Sequence, residues 1–246
     1  MKWIMAKQNK IKYNMGIDLP IVVYTHSDAK DVWPVFFGQL KKYIGDMKVY
    51  VAVNSNDETI PSEYTQLIYD DSIPYTERWK QILPQIKEET IMFMHEDMIL
   101  FDKPDFEYIK RYYNLVNNDM VDSIKMVYVA SNDVVSDIDN TLISNEYSKF
   151  SIQPTLIKRK NFVSLLESTP PLNIWDFELA VPTSQNHFMC KVGGEKKRGM
   201  YHYDSIVFPY ICTAIVKGKW NMNEYQNELD KLFGEYNINP FERGIV

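Results

Sequence analysis

Two adjacent carboxylates, Glu96 and Asp97, interrupt an otherwise apolar stretch from Ile91 to Leu100. The residues just before them, 90–94, are apolar or β-branched, which predicts a strand that is buried on both faces. In an open α/β sheet, the ligand crevice lies outside the carboxyl ends of the strands. Side-by-side carboxylate oxygens suit Mg²⁺ or Mn²⁺ carried by a phosphate. The pair therefore predicts a metal site, and the alternative is an acidic turn that binds no ligand.

The elements that must position this pair alternate between strand and helix. Strands are predicted over 19–25, 48–53, 66–69 and 90–94, and helices over 31–43 and 75–86. Pro34 falls in the first turns of its helix, where proline is tolerated, whereas Pro84 must kink or shorten the second helix. This alternation predicts an α/β fold with a largely parallel sheet flanked by helices.

The second half of the chain has a less regular pattern. Helices are predicted over 105–116, 158–167, from residue 174 and over 223–233, and strands over 123–129, 150–157 and 206–216. Pro154 favours an edge position for its strand, and the polar segment 132–145 is expected to be an exposed connection. No linker or repeat is visible. One domain is predicted over 1–246, with an N-terminal extension of about 1–18 and a C-terminal helix and tail over 221–246.

The composition is that of an ordinary globular protein, with 45% hydrophobic residues, 24% charged residues and a mean hydropathy of −0.33. No apolar run approaches the roughly 20 residues of a membrane-spanning helix. The net charge of −6 and the lack of a basic stripe argue against a nucleic-acid partner. Cys190 and Cys212 form no C-x-x-C pair, and the N-terminus has no signal-peptide pattern, so a cytoplasmic location is expected.

Several short motifs, taken in order, resemble those of GT-A-type glycosyltransferases, the small bacterial and viral enzymes in which a strand ends in a D-x-D-like acid pair. The motifs here are 75–83, Met94-His-Glu-Asp97, 150–154, Trp175-Asp-Phe-Glu178 and 216–220. The resemblance spans roughly residues 20 to 221 and lies in order and spacing. It implies a Rossmann-like GT-A fold, Mn²⁺ or Mg²⁺, a nucleoside-diphosphate sugar donor and a glycan or glycoconjugate acceptor.

The metal ligands follow from the acid pair and from this resemblance. Asp97 is the first choice as a metal ligand, and Glu96 is a ligand or a ribose contact. Since the motif here is His95-Glu96-Asp97 and not a strict D-x-D, it does not decide whether both acids contact the metal. GT-A enzymes often add a ligand from the C-terminal part, which here implies His202; a structural histidine is the alternative.

An inverting transferase also needs a base that accepts the proton of the acceptor hydroxyl. The predicted helix start at Trp175 supplies two carboxylates, and the resemblance favours Asp176 over Glu178. Helix capping is the alternative role for Asp176. Trp175 is either a wall for the acceptor sugar or a core residue.

The remaining candidates would contact the nucleotide. The resemblance implies that the base and ribose meet the residues after the first strand, which are Thr25, His26, Ser27 and Asp28; an N-cap is the alternative. Arg78 would reach the nucleotide or pair with Glu96, or else lie on a solvated helix face. Lys217 and Lys219 flank Gly218 and would close over the diphosphate as a mobile loop, or else be solvated.

These features together predict a metal-dependent, inverting glycosyltransferase that moves a hexosyl or deoxyhexosyl group. The alternative enzyme is a nucleotidyltransferase acting on sugar phosphates, which would share the sheet and the acid pair. Such an enzyme usually has a glycine-rich basic loop after the first strand, and residues 26–30 here contain no glycine. A non-catalytic carbohydrate-binding module on the same fold is the alternative outside the enzymes.

Overall fold

The first four strands are parallel and form one half of a nine-stranded central sheet. The computed structural model describes residues 16–182, 186–193, 196–199 and 202–246. These strands are β1 (Ile21–Tyr24), β2 (Val49–Val53), β3 (Thr65–Ile68) and β4 (Thr90–His95). They lie in the order β3-β2-β1-β4 and every neighbouring pair is parallel. Their carboxyl ends therefore share one edge, and the strand order reverses beside β1, where such sheets bind ligands.

Two helices of this half follow the sequence prediction closely. They are α1 (Trp33–Ile44) and α2 (Tyr75–Ile82). Pro34 occupies the first turn of α1, where its missing N–H has no helical partner to lose. The helical stretch that starts at Tyr75 changes to a 3-10 turn at Leu83–Gln85, which contains Pro84. β1, β2 and β4 are buried along their whole length, as expected of strands covered on both faces.

The second half of the sheet is mixed in direction. Its elements are α3 (Phe106–Asn117), β5 (Ser123–Lys125), β6 (Tyr128–Val129), β7 (Val134–Val135), β8 (Leu142–Ser144), β9 (Thr155–Lys158), α4 (Arg159–Glu167), α5 (Ile174–Ala180) and β10 (His187–Cys190). The sheet continues from β4 in the order β9-β5-β10-β8-β7. β9 is antiparallel to both of its neighbours. The predicted fold class, α/β with a large sheet flanked by helices, is confirmed, and its parallel pairing is concentrated in β1 to β4.

Three predictions for the second half are wrong in detail. β9 is a central strand and not an edge, because Pro154 precedes it and contributes only its carbonyl, which accepts from Met126 N–H at 2.8 Å. The predicted strand over 123–129 is divided between β5 and β6, which belong to different sheets. The expected exposed connection over 132–145 contains the paired strands β7 and β8, and Leu142 in β8 is buried.

The C-terminal part packs small strands and two helices around the main sheet. It contains β11 (Lys197–Arg198), β12 (His202–Tyr203), β13 (Ile215–Val216), β14 (Lys219–Trp220), α6 (Met222–Tyr236) and α7 (Pro240–Arg243). The strand predicted over 206–216 is reduced to β13 and an isolated bridge between Tyr210 and Leu100. The predicted terminal helix is α6, and its buried face includes Tyr225 and Leu229.

Other predictions concern the whole chain. Cys190 and Cys212 are free, buried thiols. Across the described ranges, no helix has both the length and the apolar character needed to cross a membrane. Of the predicted N-terminal extension, residues 1–15 lie outside the described residues. The single-domain organisation stays a prediction.

Candidate active site

The strand register places the acid pair next to the turn that follows β1. Tyr24 is paired with His95 across β1 and β4, so Thr25 and Glu96 leave the sheet side by side. The Thr25 hydroxyl accepts a hydrogen bond from Trp33 Nε1 at 2.8 Å and lies close enough to Glu96 to stabilise its charge. The predicted strand exit is thus a point where two chain segments meet at the switch point of the sheet.

Glu96 and Asp97 share a partly buried position that disfavours their charged forms. Burial raises the pKa of Glu96 above its usual range, and the neighbouring charge of Asp97 raises it further. Burial also raises the pKa of Asp97. Two carboxylates held together in this way are costly to ionise unless a cation joins them. The pair therefore has the electrostatics of a cation site.

The main chain at Asp97 is held by a segment from the C-terminal part of the chain. The Asp97 carbonyl accepts from Ala214 N–H at 3.2 Å. Cys212, two residues earlier, donates its thiol to Gln153 Oε1 at 3.3 Å, and the Tyr210 hydroxyl donates to the same oxygen at 2.6 Å. Gln153 belongs to one of the motifs that carry the resemblance, and it anchors the segment that holds Asp97.

A polar cluster lies at the carboxyl ends of β1, β2 and β3. His26 Nε2 is 3.2 Å from Asp71 Oδ2, and the Asp28 N–H donates to His26 Nδ1 at 3.1 Å. The Asn54 amide donates to Ser27 Oγ and to Asp71 Oδ2, both at 3.1 Å. The His26 ring lowers the pKa of Asp71, with Asn54 adding to the effect. His26 also caps the 3-10 turn Ser27–Ala29, as the capping alternative predicted, and its contact with the nucleotide stays a prediction.

Arg78 is joined to this cluster and not to Glu96. Its Nη1 donates to the Tyr24 hydroxyl at 3.0 Å, and its other nitrogens donate to the carbonyls of Ile73 and Asp71. The guanidinium also lies 5.4 Å from the centre of the Tyr69 ring. Arg78 is thus half-buried at the edge of the candidate nucleotide site, and the solvated-face interpretation is wrong.

The two acids of α5 have different surroundings. Asn173 is the N-cap, and its side chain donates to Asp176 Oδ2 at 2.6 Å while its own Oδ1 accepts from the Asp176 N–H at 3.0 Å. Asp176 is exposed, and Glu178, which is half-buried, accepts from Ile152 N–H at 2.6 Å. Trp175 is 70% exposed, so the core interpretation of Trp175 is wrong.

A buried lysine supports the loop that Glu178 contacts. Lys125 Nζ donates to the carbonyls of Tyr147 and Lys149 and to Ser151 Oγ. Burial lowers the pKa of Lys125 to about 8, and the charge of Glu178 opposes this effect. Hydrogen bonds therefore connect Lys125, the loop over 147–152 and Glu178 of α5.

The His202 side chain contacts residues of α6, and these contacts do not include Glu96 or Asp97. Its Nε2 lies 3.3 Å from the Tyr225 hydroxyl and 3.6 Å from Glu224 Oε2. Burial lowers its pKa. Among the residues that the structure describes, no three His, Cys, Asp or Glu side chains are grouped as a metal site. The role of His202 as a ligand stays a prediction, and its contacts are those of a structural histidine.

The segment that contains Lys217 and Lys219 is a tight turn and not a long loop. Lys217 and Gly218 have φ values of 49° and 76° and connect β13 to β14 as a two-residue hairpin turn. Both lysines are exposed. Arg243, from the end of α7, donates to the Gly218 carbonyl at 3.0 Å and its charge acts on Glu96.

Sequence reasoning missed several residues that the fold brings to this edge, namely Asn54, Asp71, Gln153, Lys125 and Arg243. Asn54 and Asp71 had a usable signal, because each is a polar residue directly after a predicted parallel strand. Gln153 lay inside a recognised motif. Lys125 and Arg243 had no local signal, because a basic residue in a short strand or near the end of a chain has no pattern of its own.

No protein-family model matches the chain, and no curated protein matches it in a sequence search. Solved structures do match. The TarS 1-349 fragment from S. aureus has a TM-score of 0.44 and 16% identity, over 77% of this chain and 60% of that one. A nucleotidyl transferase from a Methanothermobacter species has a TM-score of 0.43 and 10% identity, over 72% and 88%.

A third match is the mannosyltransferase PcManGT from Pyrobaculum calidifontis, in complex with GDP-Man and Mn²⁺, at a TM-score of 0.40 and 12% identity. The match covers 61% of this chain and 46% of the PcManGT chain. The chain thus spans less than two thirds of TarS 1-349 and of PcManGT. Two of the three are named as transferases.

Proposed function

We propose that the protein is a metal-dependent, inverting glycosyltransferase that uses a nucleoside-diphosphate sugar and a glycan or other hydroxyl acceptor. The observation that carries the proposal is the acid pair Glu96 and Asp97 at the carboxyl end of β4, beside the polar ends of β1 to β3. A carboxylate pair meets the diphosphate's cation there, while polar side chains face the nucleoside. This division of roles matches what a sugar-nucleotide donor requires.

The residues present fit Mn²⁺ or Mg²⁺. Both carboxylates have raised pKa values, and a divalent ion would relieve their repulsion. Such ions are often bound by one or two carboxylates together with substrate phosphates and water, so the pair suffices without a third protein ligand. The ion would supply Lewis-acid stabilisation of the departing diphosphate. Asp97 is the proposed direct ligand, and Glu96 is a ligand or a ribose contact.

The donor nucleoside is proposed to lie against the loops after β1, β2 and β3. Thr25, His26, Ser27 and Asp28 come from the first of these loops, and Asn54 and Asp71 from the other two. The amide, imidazole and hydroxyl groups in this set offer both donors and acceptors. Arg78 holds the Asp71 loop by its hydrogen bond to the Asp71 carbonyl, so its proposed contribution is to orient this surface.

The acceptor is proposed to bind on the side of α5. Asp176 is the proposed base because it is exposed. One of its carboxylate oxygens accepts a hydrogen bond from the cap residue Asn173, which leaves the other oxygen for the acceptor. Glu178 is the alternative, although its Oε1 already accepts the Ile152 N–H. The exposed ring of Trp175 provides an apolar face of the kind on which a sugar packs. The proton of the acceptor hydroxyl would move to the carboxylate as the glycosidic bond forms.

Thermal-shift measurements with UDP, GDP, CDP and dTDP sugars, each with Mn²⁺ or with EDTA, test this proposal. A ligand at a hundred times its dissociation constant adds about 2.7 kcal/mol to the free energy of unfolding, which such a panel detects. GDP-mannose represents the GDP sugars in this panel. The Asp97→Ala variant should lose the Mn²⁺-dependent part of the shift. Asp46→Asn is its matched control, since Asp46 is exposed and precedes β2 at the opposite end of that strand.

The reaction products separate the alternatives. Release of a nucleoside diphosphate that EDTA abolishes supports glycosyl transfer. Release of pyrophosphate from a nucleoside triphosphate and a sugar phosphate would instead identify a nucleotidyltransferase. Binding of a sugar without turnover of any donor would identify a carbohydrate-binding module, and a protein that binds no nucleotide at all would contradict the proposal.

A further inference from the structure

Arg243 connects three separate segments at the edge of the candidate donor site. Its guanidinium forms a bidentate ion pair with Asp31, with Nε 2.6 Å from Oδ2 and Nη2 on Oδ1. Nη1 donates to the Gly218 carbonyl at 3.0 Å, and Nη2 also donates to the Asp28 carbonyl at 3.4 Å. The Arg243 side chain is only 14% exposed. One side chain thus joins the loop after β1, the β13–β14 turn and the end of α7.

The C-terminal arm, residues 239–246, has its own anchors. Trp220 N–H donates to the Gly244 carbonyl at 2.9 Å, and Val246 N–H donates to the Trp220 carbonyl at 3.0 Å. Trp220 is buried and packs edge-on against Phe233, with ring centres 4.8 Å apart. The arm is therefore held independently of the guanidinium. Its position does not explain why the guanidinium is buried among carbonyls and a carboxylate.

The bridged segments are those that the proposed function assigns to the donor. Asp28 follows β1 in the nucleoside surface, and Gly218 lies between the two lysines proposed for the diphosphate. The charge of Arg243 also acts on Glu96. A loop that is ordered before the ligand arrives avoids part of the entropic cost of binding. The planar fork of arginine matches a carboxylate in two places, which a lysine ammonium cannot do.

We propose that Arg243 is a positioning residue of the donor site, which holds the loop after β1 and the β13–β14 turn at the separation that the nucleoside diphosphate requires. This inference rests on the proposed function. It assigns a role in donor binding to the C-terminal arm, and it makes the Asp31–Arg243 ion pair the contact on which the spacing of the two segments depends.

The test compares Arg243→Lys and Asp31→Asn with the wild type in titrations with UDP, GDP, CDP and dTDP in the presence of Mn²⁺. Asp31→Asn removes the ion pair from the other side and leaves the arginine in place. Arg111→Lys is the matched control. Arg111 also forms an ion pair with an aspartate, Asp139, but it lies on α3, outside the proposed donor site. The expected result is a rise of about tenfold in the dissociation constant for both bridge variants. Donor KM should rise similarly, with kcat within a few-fold of wild type.

The outcomes are distinct. Unchanged nucleotide affinity in the folded bridge variants would overturn this inference and leave the proposed function standing. Loss of cooperative melting in both variants would show that the bridge is a requirement of folding, which also overturns it. If the wild type binds none of the four nucleotides, the proposed function fails, and the role of Arg243 fails with it.

Discussion

The two acid pairs of this protein occupy opposite structural situations. Glu96 and Asp97 follow a buried strand, and their charged forms are disfavoured by burial and by each other. Asp176 and Glu178 belong to a short helix and each has a hydrogen-bond donor within the protein, the Asn173 amide and the Ile152 N–H. For the first pair, burial outweighs the hydrogen bonds that the carboxylates accept, whereas the second pair contributes to a helix start and a loop.

Because of this difference, substitutions at the two places measure different properties. Removing an acid from the strand-end pair relieves repulsion, so a loss of activity there reports on function. Removing an acid from α5 mixes function with local stability, because a cap or a loop contact is lost as well. Amide substitutions are therefore the right change in α5, since they keep the shape and much of the hydrogen bonding.

The largest expected effect separates a general base from a helix-stabilising role at Asp176, whose carboxylate accepts a hydrogen bond from the N-cap residue Asn173. An amide cannot accept the acceptor's proton, so Asp176→Asn is expected to lower kcat by about 10² to 10⁴-fold with donor affinity near wild type. Helix capping alone predicts a loss of at most about 1 kcal/mol in unfolding free energy and nearly normal turnover. Glu178→Gln is the matched variant: should it carry the large loss instead, the base is Glu178. A product with retained anomeric configuration would contradict the inverting mechanism.

The acid pair on β4 is tested by Asp97→Ala. Because a metal contributes several kcal/mol to stabilising the leaving group, we expect turnover to fall by at least about 10²-fold. The Mn²⁺-dependent thermal shift should disappear, while the melting temperature without metal should be no lower than that of the wild type, because one of two repelling carboxylates is removed. Normal metal-dependent activity in this variant would remove Asp97 from the metal site, and Asp46→Asn controls for the loss of a charge elsewhere.

The raised pKa values of Glu96 and Asp97 predict an unusual pH dependence. Between the ordinary carboxyl pKa of about 4 and the raised pKa values of the pair, the metal-free folded state binds more protons than the unfolded state. The free energy of unfolding should therefore fall as the pH rises through this range. If Mn²⁺ binds the ionised pair as proposed, its affinity should fall as the pH drops, by up to about tenfold per unit for one displaced proton. Melting temperatures with and without Mn²⁺ measure both trends.

Asp97→Asn supplies the control for these pH trends. Removing one charge should flatten the dependence of the metal-free melting temperature on pH. An identical pH dependence in wild type and variant would show that the repulsion between the two carboxylates does not govern it.

The smallest expected effect concerns the hairpin lysines. Lys217→Ala and Lys219→Ala should each raise the donor's KM by about threefold to tenfold, because each removes an exposed cation proposed to face the diphosphate. Substitution is preferable to truncation here, since the chain after the turn includes α6, whose Tyr225 and Leu229 are buried. Lys110→Ala on α3 is the control. Donor KM values equal to that of the control would show that these lysines do not contribute to donor binding.

The parallel half of the fold was predictable because its signals are local. Apolar runs before Thr25, Asn54 and Asp97 specify buried strands, and the polar residues after them mark the ligand edge. The second half was less predictable, because its short strands β5, β6 and β12 pair with strands that are distant in the chain. Pro154 is an example: the proline rule is sound, but only the fold shows that the strand begins one residue later.

Hydrophobic period and capping within a few residues specify the α/β class, the strand that leads into Glu96 and Asp97, and the helix that starts before Asp176. Which loops come together at the edge that holds the acid pair depends on the packing of the whole chain. It brought Asn54 and Asp71 beside His26, placed Lys125 beneath the loop that binds Glu178, and set Arg243 against Asp31 across 212 positions of chain. Such contacts arise from the order of strands in the sheet and from the packing of the last helices, which no local pattern encodes.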